Sequence, residues 1–328
     1  QPSTKFLGEM TKSHEEFLGG LEGLVSPSKP TSPRKSATPN PRVDHVIKIP
    51  ESWYQKPHRR DFQYFIPEWD DLVDPDYDFL TDTHSGGSGD WSNQVYAHQL
   101  YPAPNYDGIL VSKVVAEKGK RKKERINELG VHRYLRVPRQ YPVMGDCGAF
   151  GYIQEKNPPY STAEILDYYS RLDFDLGVSV DHLIVSATSD DAKHRYQLTN
   201  QNAEDFLNEH KAQGHAWTPI GAVQGWDPQS YAAAARDYVK MGYNYIALGG
   251  LVRTSTPEIL RVLQAVKEVV PEELRIHLFG VARLNALPSL KSLGLTSADS
   301  ASYLRQAWMR TTTSYELTHE SYAALRIP

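Results

Sequence analysis

Cysteine and long hydrophobic runs are what this 328-residue sequence has least of. Cys147 is its only cysteine, which excludes an internal disulfide framework and any zinc site built from several cysteines. No run of about 18 uncharged apolar residues is present, so the sequence predicts no membrane span. The first residues, QPSTKFLGEM, lack the apolar stretch of a secretory signal. We therefore expect a cytoplasmic protein that does not associate with membranes.

Sequence motifs for nucleotide cofactors are missing as well. No G-x-G-x-x-G turn follows a predicted strand, no G-x-x-x-x-G-K-[ST] loop is present, and the glycine-rich SGGSGDW at 85–91 fits neither pattern. We expect no cofactor. What is present is core material: 40% of the residues are hydrophobic and 23% are charged, a balance that excludes wholesale disorder.

Acidic residues slightly outnumber basic residues overall, but the positive charge is concentrated in one stretch. The chain has 36 basic and 40 acidic residues, a net charge of −4, yet residues 113–139 hold ten Lys/Arg against three Glu. Such a patch can bind phosphates even on an acidic protein, and a solvated helix face is the alternative. The densest part of the patch is a run of four cations, Lys120, Arg121, Lys122 and Lys123.

The chain divides into a short arm and a large domain. Residues 1–45 hold one short possible helix, at 13–24, and a tract rich in proline, serine and lysine that has too few aliphatic residues to offset its ordering entropy. We predict a flexible arm over residues 1–45 and one folded domain over residues 46–328.

Eight short apolar runs alternate with helix-like segments in that domain. Such alternation is typical of parallel strands with helices packed outside, and eight strands in about 240 residues favour a closed α/β barrel of the (β/α)8 type. Residues 68–106 form a long insertion after the first strand. The predicted strands lie in FQYFIP, DGILVSKVV, YPVMGD, LGVSVDHLIV, TPIGAVQG, NYIALGG, RIHLFGV and LTSAD.

Polar residues follow several of these strands at their carboxyl ends, where a parallel barrel carries its active site. Any one aspartate there could equally be a turn or helix-capping residue, but three of them near successive strand ends favour a functional cluster. The candidates are Asp146 after strand three, Asp181 after strand four, Gln224 and Gly225 after strand five, Gly249 and Gly250 after strand six, Phe279 after strand seven and Asp299 at the end of strand eight.

This combination of groups suits a flat heterocycle with mixed donors and acceptors, such as guanine. A carboxylate accepts hydrogen bonds from N1–H and the exocyclic amine, while Gln and backbone N–H groups donate to O6. Phe150 and Phe279 could supply stacking faces. A pair of carboxylates is also the equipment of glycosidic chemistry, with one as nucleophile and the other as general acid and base.

The motifs MGDCGAFGY, VSVDH, AVQGW, ALGGLVR, HLFGVAR and SADSASY, in this order between about residues 60 and 310, resemble a known family. They are similar to the tRNA-guanine transglycosylases, and more closely to their DNA-acting relatives in 7-deazaguanine DNA-modification systems. The resemblance implies exchange of guanine in DNA for a 7-deazaguanine such as preQ0. It implies DNA as the partner and leaves open partner proteins of a modification system.

The resemblance also implies roles for individual residues. Asp299 corresponds to the nucleophile that attacks C1′, and Asp146 to the general acid and base. The remaining candidates fall on positions that bind the base or the polynucleotide. The base-binding positions are Asp181, Gln224, Gly225, Gly249, Gly250, Leu251, Val252, Phe150 and Phe279, and the polynucleotide-binding position is Arg305. Charge alone, and not the resemblance, adds four further candidates for contact with the polynucleotide, Lys120, Arg121, Lys122 and Lys123.

One departure from the family separates two of the alternatives. The tRNA-acting enzymes carry a zinc bound by three cysteines and a histidine, which this chain cannot form with Cys147 alone. This weakens tRNA base exchange as the alternative activity. An inactive barrel that binds nucleic acid is a further alternative, against which the presence of both Asp146 and Asp299 counts. A barrel glycoside hydrolase is the last, and it predicts more tryptophans at the mouth than Trp226.

Other residues near the predicted mouth are interpreted as structural. Cys147 is expected to be a small buried residue rather than a thiolate nucleophile. His182 and His277 are expected to be hydrogen-bonded packing residues. The acidic stretch from Glu68 to Asp76 is expected to be a solvated loop.

Overall fold

The computed structural model describes residues 62–69, 72–85, 91, 94–100, 106–184 and 190–302, together with the short backbone segments 315–316 and 321–322. The predicted arm over residues 1–45, with its possible helix, lies outside the described residues. The division of the chain at residue 45 therefore stays a prediction.

Eight parallel strands close into a barrel, which confirms the predicted fold class. Each strand pairs with the next along the chain, and the first pairs with the last, so that no edge is left open. In chain order the strands are β1 Gln63–Pro67, β2 Gly108–Ser112, β3 Val143–Asp146, β4 Leu176–Val178, β5 Thr218–Val223, β6 Tyr245–Leu248, β7 Arg275–Leu278 and β8 Leu295–Asp299.

Eight α-helices lie in the described part of the chain, most of them in the connections between barrel strands. None of the helices described is long and apolar enough to cross a membrane. They are α1 Lys113–Ala116, α2 Lys120–Leu129, α3 Val131–Leu135, α4 Thr162–Arg171, α5 Asp190–Gln213, α6 Pro228–Met241, α7 Thr256–Lys267 and α8 Leu287–Ser292.

Alternation along each strand divides the core into two layers. On β6, Tyr245 and Ala247 point into the barrel, where they pack with residues such as Met144. Ile246 and Leu248 lie between them in sequence and pack outward against the helices. Successive side chains of a strand point to opposite faces, so one apolar run serves both layers.

Close helix packing requires glycine on two neighbouring strands. A Cβ atom at Gly145 or Gly177 would lie 2.2 or 2.4 Å from the Tyr169 ring of α4. The Tyr169 hydroxyl donates to the Val178 carbonyl at 3.0 Å. The start of α4 is set by the predicted capping box, in which Ser161 and Glu164 satisfy each other's backbone N–H groups.

Two of the predicted strand boundaries differ from the structure. The run from 176 to 185 is a strand only over Leu176–Val178. Beyond Val178, the Ser179 side-chain oxygen takes the place of a backbone carbonyl and accepts the hydrogen bond from Ala222 N at 2.9 Å. The run from 107 to 115 turns into a helix at Lys113. The insertion after β1 contains a small antiparallel pair, Leu72–Val73 with Val95–Tyr96.

Candidate active site

Three carboxylates gather at the carboxyl end of the barrel, as the sequence predicts. Asp146 is the last residue of β3 and Asp299 the last of β8. Asp181 stands three residues after the end of β4. Asp181 is 4% exposed and Asp299 6% exposed, while Asp146 is partly buried. Aspartates packed this closely at a strand-end mouth influence one another's ionisation.

Asp146 is the carboxylate whose ionisation is most disfavoured. Burial, and then the charges of Asp181 and Asp299, raise the pKa of Asp146 to about 8. Its Oδ2 accepts a hydrogen bond from Gly148 N at 3.0 Å, which partly opposes that rise. At neutral pH Asp146 therefore holds its proton and can act as an acid.

Asp299 lies in a different environment, formed by the end of β7. Its Oδ1 lies 3.1 Å from His277 Nε2 and accepts from Gly280 N at 2.9 Å. Gly280 has a φ of +68°, a left-handed conformation that glycine adopts without strain and that turns its N–H toward Asp299. Two contacts on one oxygen hold the side chain in a fixed orientation.

Asp181 and Gln224 form a buried polar pair beside these two aspartates. Gln224 Nε2 donates to Asp181 Oδ2 at 2.6 Å. Burial raises the pKa of Asp181 to about 6, although this hydrogen bond opposes the shift. Gln224 Oε1 is buried and accepts no hydrogen bond from the described residues. A buried acceptor of this kind needs a donor from a ligand or water.

The segment that carries Asp181 is anchored from three sides. The Tyr152 hydroxyl donates to the Asp181 carbonyl at 2.9 Å, and His182 N donates to Thr199 Oγ1 at 3.0 Å. The buried Arg195 guanidinium donates to the carbonyls of Ile153 and Leu183, each at 2.9 Å. His182 also contacts Arg195, so the interpretation of this histidine as a packing residue is confirmed.

The turn after β6 holds Gln224 in place by close approach. A Cβ atom at Gly249 would lie 2.1 Å from Gln224 Nε2, so a side chain there would displace the Gln224 amide. Gly250 has a φ of +77° and lies against Gln224 Oε1. The Tyr231 hydroxyl donates to the Gly249 carbonyl at 2.7 Å. Gly225 is likewise buried, against the Tyr231 ring.

The apolar residues that were predicted to contact the base differ in how exposed they are. Phe150 is 44% exposed, on the short turn after Asp146. Phe279 is partly buried, with its ring 4.9 Å from that of His277. Val252 is exposed and leans toward Gly280. Leu251, predicted with Val252 to line the turn, has its side chain buried in the layer between barrel and helices, so only its backbone can face a ligand.

The four cations of α2 separate into two kinds. Lys120, Arg121 and Lys123 are exposed. Lys122 Nζ instead lies 2.7 Å from Glu68 Oε2, with both side chains largely buried. The expectation of a solvated loop is therefore wrong for Glu68. Lys122 neutralises a buried carboxylate and is not a free surface cation, a correction to its predicted role. Arg305 lies outside the described residues.

Helical periodicity contained a signal for this difference. Lys122 precedes Ile126 by four residues, and Ile126 is the buried residue of α2. Residues i and i+4 share a helix face, so Lys122 belongs to the inward side. Cys147 is fully buried as expected, and burial raises the pKa of its thiol, which disfavours a thiolate nucleophile.

Comparisons with known proteins found one family match and several relatives. Residues 105–324 match the family described as TGT, queuine tRNA-ribosyltransferase. A DNA-guanine transglycosylase from Salmonella montevideo is 33% identical over 285 residues, which cover 81% of this chain and 68% of that protein.

More distant relatives come from archaea. A tRNA-guanine(15) transglycosylase from Pyrobaculum aerophilum is 26% identical over 50% of this chain and 34% of its own length. One from Methanopyrus kandleri is 25% identical over 60% of this chain and 43% of its own length. The alignments thus span less than half of these two archaeal proteins.

Proposed function

Because the chain belongs to the queuine tRNA-ribosyltransferase family, we propose that it exchanges guanine in DNA for a 7-deazaguanine base such as preQ0. The observation that carries the proposal is the contrast between two aspartates at one mouth. The pKa of Asp146 is raised to about 8, so it holds a proton at neutral pH, whereas Oδ1 of Asp299 is held between His277 Nε2 and Gly280 N. Glycosidic exchange requires this pair, one acid and one nucleophile.

The first half of the reaction replaces the base by the enzyme. The Asp299 carboxylate forms a bond to C1′ of the nucleotide, and the C1′–N9 bond breaks with its electron pair on guanine. Protonated Asp146 gives its proton to the departing guanine. The products are a glycosyl ester on Asp299 and a free base, and Asp146 is left as a carboxylate.

The second half runs the same steps with the incoming base. The Asp146 carboxylate removes the N9 proton of the 7-deazaguanine, and N9 then forms a bond to C1′ as the ester bond to Asp299 breaks. Both aspartates return to their starting states. One glycosidic bond replaces a similar one, so the exchange needs no energy source.

Asp181 and Gln224 are proposed to bind the base. Guanine and a 7-deazaguanine share N1–H, the 2-amino group and O6, so one set of contacts accepts both. The Asp181 carboxylate would accept from N1–H and the 2-amino group, and the unpartnered Gln224 Oε1 is available to a further base donor. Gly249 N donates to the Val223 carbonyl at 3.0 Å, so at this turn the base would meet the Gly250 N–H, next to Gln224. Phe150 and Phe279 would contact the faces of the base.

DNA is favoured over tRNA by the extent of the similarity. The relative named for DNA aligns over 81% of this chain, against 50% and 60% for the two tRNA enzymes described above. A base must leave the duplex stack to reach the mouth, at a cost of about a few kcal/mol. Phosphate contacts from Lys120, Arg121 and Lys123 would offset part of that cost. We place the reaction in the cytoplasm.

Base exchange tests the proposal directly. The protein is incubated with guanine-labelled duplex DNA, single-stranded DNA or tRNA, each with preQ0, and released guanine is measured. Release from DNA, and its loss in Asp299→Asn, is the expected result. Release from tRNA alone would move the protein to the alternative substrate. No release and no covalent adduct with any of the three would overturn the proposal in favour of a barrel that only binds nucleic acid.

A further inference from the structure

We propose that His277 is a positioning residue that makes Oδ2 of Asp299 the attacking oxygen, as the last member of a hydrogen-bond chain from Tyr245 through Ser297. The inference rests on the proposed function, because it concerns the nucleophile of that reaction. It goes further in naming the groups that hold this nucleophile and the atom that forms the bond.

The chain lies inside the barrel, on three adjacent strands. Tyr245 is on β6, His277 on β7 and Ser297 on β8, and all three are fully buried. The Tyr245 hydroxyl lies 2.6 Å from Ser297 Oγ, and Ser297 Oγ lies 2.9 Å from His277 Nδ1. His277 Nε2 then reaches Asp299 Oδ1 at 3.1 Å. The four groups form a continuous line from the barrel interior to the mouth.

The identity of the last acceptor fixes the direction of every donor in the line. An ionised carboxylate only accepts, so His277 Nε2 must carry a hydrogen. If the buried ring is neutral, Nδ1 is an acceptor, and Ser297 must donate to it. Ser297 Oγ is then free to accept from the Tyr245 hydroxyl. The chain runs from Tyr245 to Ser297 to His277 to Asp299, with each hydroxyl hydrogen used once.

The opposite protonation state fits these contacts less well. A charged His277 would donate from Nδ1 to Ser297 Oγ. One hydroxyl hydrogen, that of Ser297 or that of Tyr245, would then have no acceptor among the contacts described. The neutral tautomer with hydrogen on Nε2 satisfies all the groups.

The consequence for Asp299 concerns its two oxygens. His277 Nε2 and Gly280 N both donate to Oδ1, and Oδ2 accepts from none of the residues that the structure describes. An oxygen with two charge-assisted hydrogen bonds is the poorer nucleophile, since its lone pairs are engaged. Oδ2 is therefore the oxygen that forms the ester, and the ring of His277 prevents the carboxylate from rotating.

Substitutions along the chain separate positioning from packing. His277→Phe removes the donor, His277→Gln keeps an N–H donor on a side chain of similar reach, and Ser297→Ala removes the group that selects the tautomer. Thr296→Ala is the matched control, because Thr296 Oγ1 also bonds β8 to β7, through Ile276 N at 2.9 Å, but without contact to Asp299. Covalent adduct formation with a guanine-containing oligonucleotide is followed in single turnover, and thermal melting is recorded for each variant.

We expect His277→Phe to slow adduct formation about 10- to 100-fold and Ser297→Ala about fivefold, as losing a charge-assisted or a neutral hydrogen bond implies. His277→Gln should recover most of the rate, and Thr296→Ala should match the wild type. The KM for the incoming base should change little in all four variants. A wild-type rate in both His277→Phe and Ser297→Ala would overturn the inference.

A spectroscopic measurement tests the chain without any reaction. Nitrogen NMR of the 15N-histidine-labelled protein, with His277 assigned by its loss in His277→Gln, should show a neutral ring with hydrogen on Nε2. Ser297→Ala should relax this preference. A ring with hydrogen on Nδ1 in the wild type would overturn the chain. A wild type that forms no adduct would instead contradict the proposed function, so the two failures are distinguishable.

Discussion

Asp146 and Asp299 both end a strand of the barrel, but β3 and β8 give them different neighbours. Asp146 meets a backbone N–H of Gly148 and the charges of two other carboxylates. Asp299 meets a histidine N–H and a backbone N–H on one oxygen. In the proposed reaction the same side chain would serve as a proton donor on one side of the mouth and as a nucleophile on the other, because its neighbours differ.

The two sides also differ in how rigidly they are built. The Asp299 side is supported by a hydrogen-bond chain in the barrel interior, with Tyr245, Ser297 and His277 on consecutive strands. The Asp146 side is a short turn through Gly148 that leads to the exposed Phe150. A nucleophile must be aimed at one atom, whereas an acid must reach a departing and then an arriving base.

The strongest test of the comparison removes the nucleophile. Asp299→Asn should abolish the denaturant-resistant adduct with guanine-containing DNA, because an amide oxygen does not form a stable ester with C1′. Adduct is measured by gel shift after denaturation, with Asp175→Asn, a carboxylate far from the mouth that pairs with His132, as a control for folding. An adduct at the wild-type level in Asp299→Asn would contradict its assignment.

Removing the acid should have a smaller effect that depends on the leaving base. Asp146→Asn should slow guanine release by about 10²- to 10⁴-fold, the usual contribution of general acid catalysis. A nucleotide whose base leaves without protonation should recover much of the lost rate. If the slow rate persists with such a substrate, Asp146 acts in some other way than by donating a proton.

The raised pKa values predict a narrow pH range for adduct formation. The reaction needs Asp181 ionised, which holds above about pH 6, and Asp146 protonated, which holds below about pH 8. The single-turnover rate should therefore be highest between these values and fall tenfold per pH unit beyond each of them. In Asp146→Asn the alkaline fall should disappear. Its persistence would assign that limb to another group.

The exposed cations of α2 should have the smallest effect, and one that depends on salt. Replacing Lys120, Arg121 and Lys123 together by Ala should reduce the slope of log affinity against log salt for single-stranded DNA by about 2. Lys122 is kept, since its loss would remove the cation that lies 2.7 Å from the buried Glu68 carboxylate.

The matched control for this triple variant removes three exposed cations from α6 and α7, Lys240, Arg261 and Lys267. Binding is measured by fluorescence anisotropy at several salt concentrations. Equal slopes in the two triple variants would mean that α2 presents only a solvated face.

Much of the architecture could be predicted from local pattern. Apolar runs of strand length alternate with capped helical segments, and this pattern led to the eight strands and to Asp146 and Asp299 at their carboxyl ends. Strand limits were less predictable. The apolar run after Val178 continues, yet the strand stops there, because the Ser179 side chain takes over a bond to the next strand.

Helical periodicity could set Lys122 apart from its neighbours, but the partners of such residues were beyond the sequence. The four consecutive cations from Lys120 to Lys123 are equivalent by charge, and only the fold brings Glu68 against Lys122. His277 is one of 12 histidines, with nothing in its neighbourhood along the chain to distinguish it from a packing residue. Its partners Ser297 and Asp299 lie about 20 residues away and meet it only because β7 and β8 pair.

The sequence by itself determined which groups reach the mouth of the barrel, since strand and helix periodicity and the parallel order place the carboxyl ends together. Only the tertiary structure decided which protons and hydrogen-bond partners those groups hold. Burial and mutual repulsion keep a proton on Asp146, two donors engage one oxygen of Asp299, and Gln224 is pressed between Asp181 and the Gly249 turn. Ionisation and hydrogen-bond direction depend on neighbours distant in sequence, and folding alone supplies them.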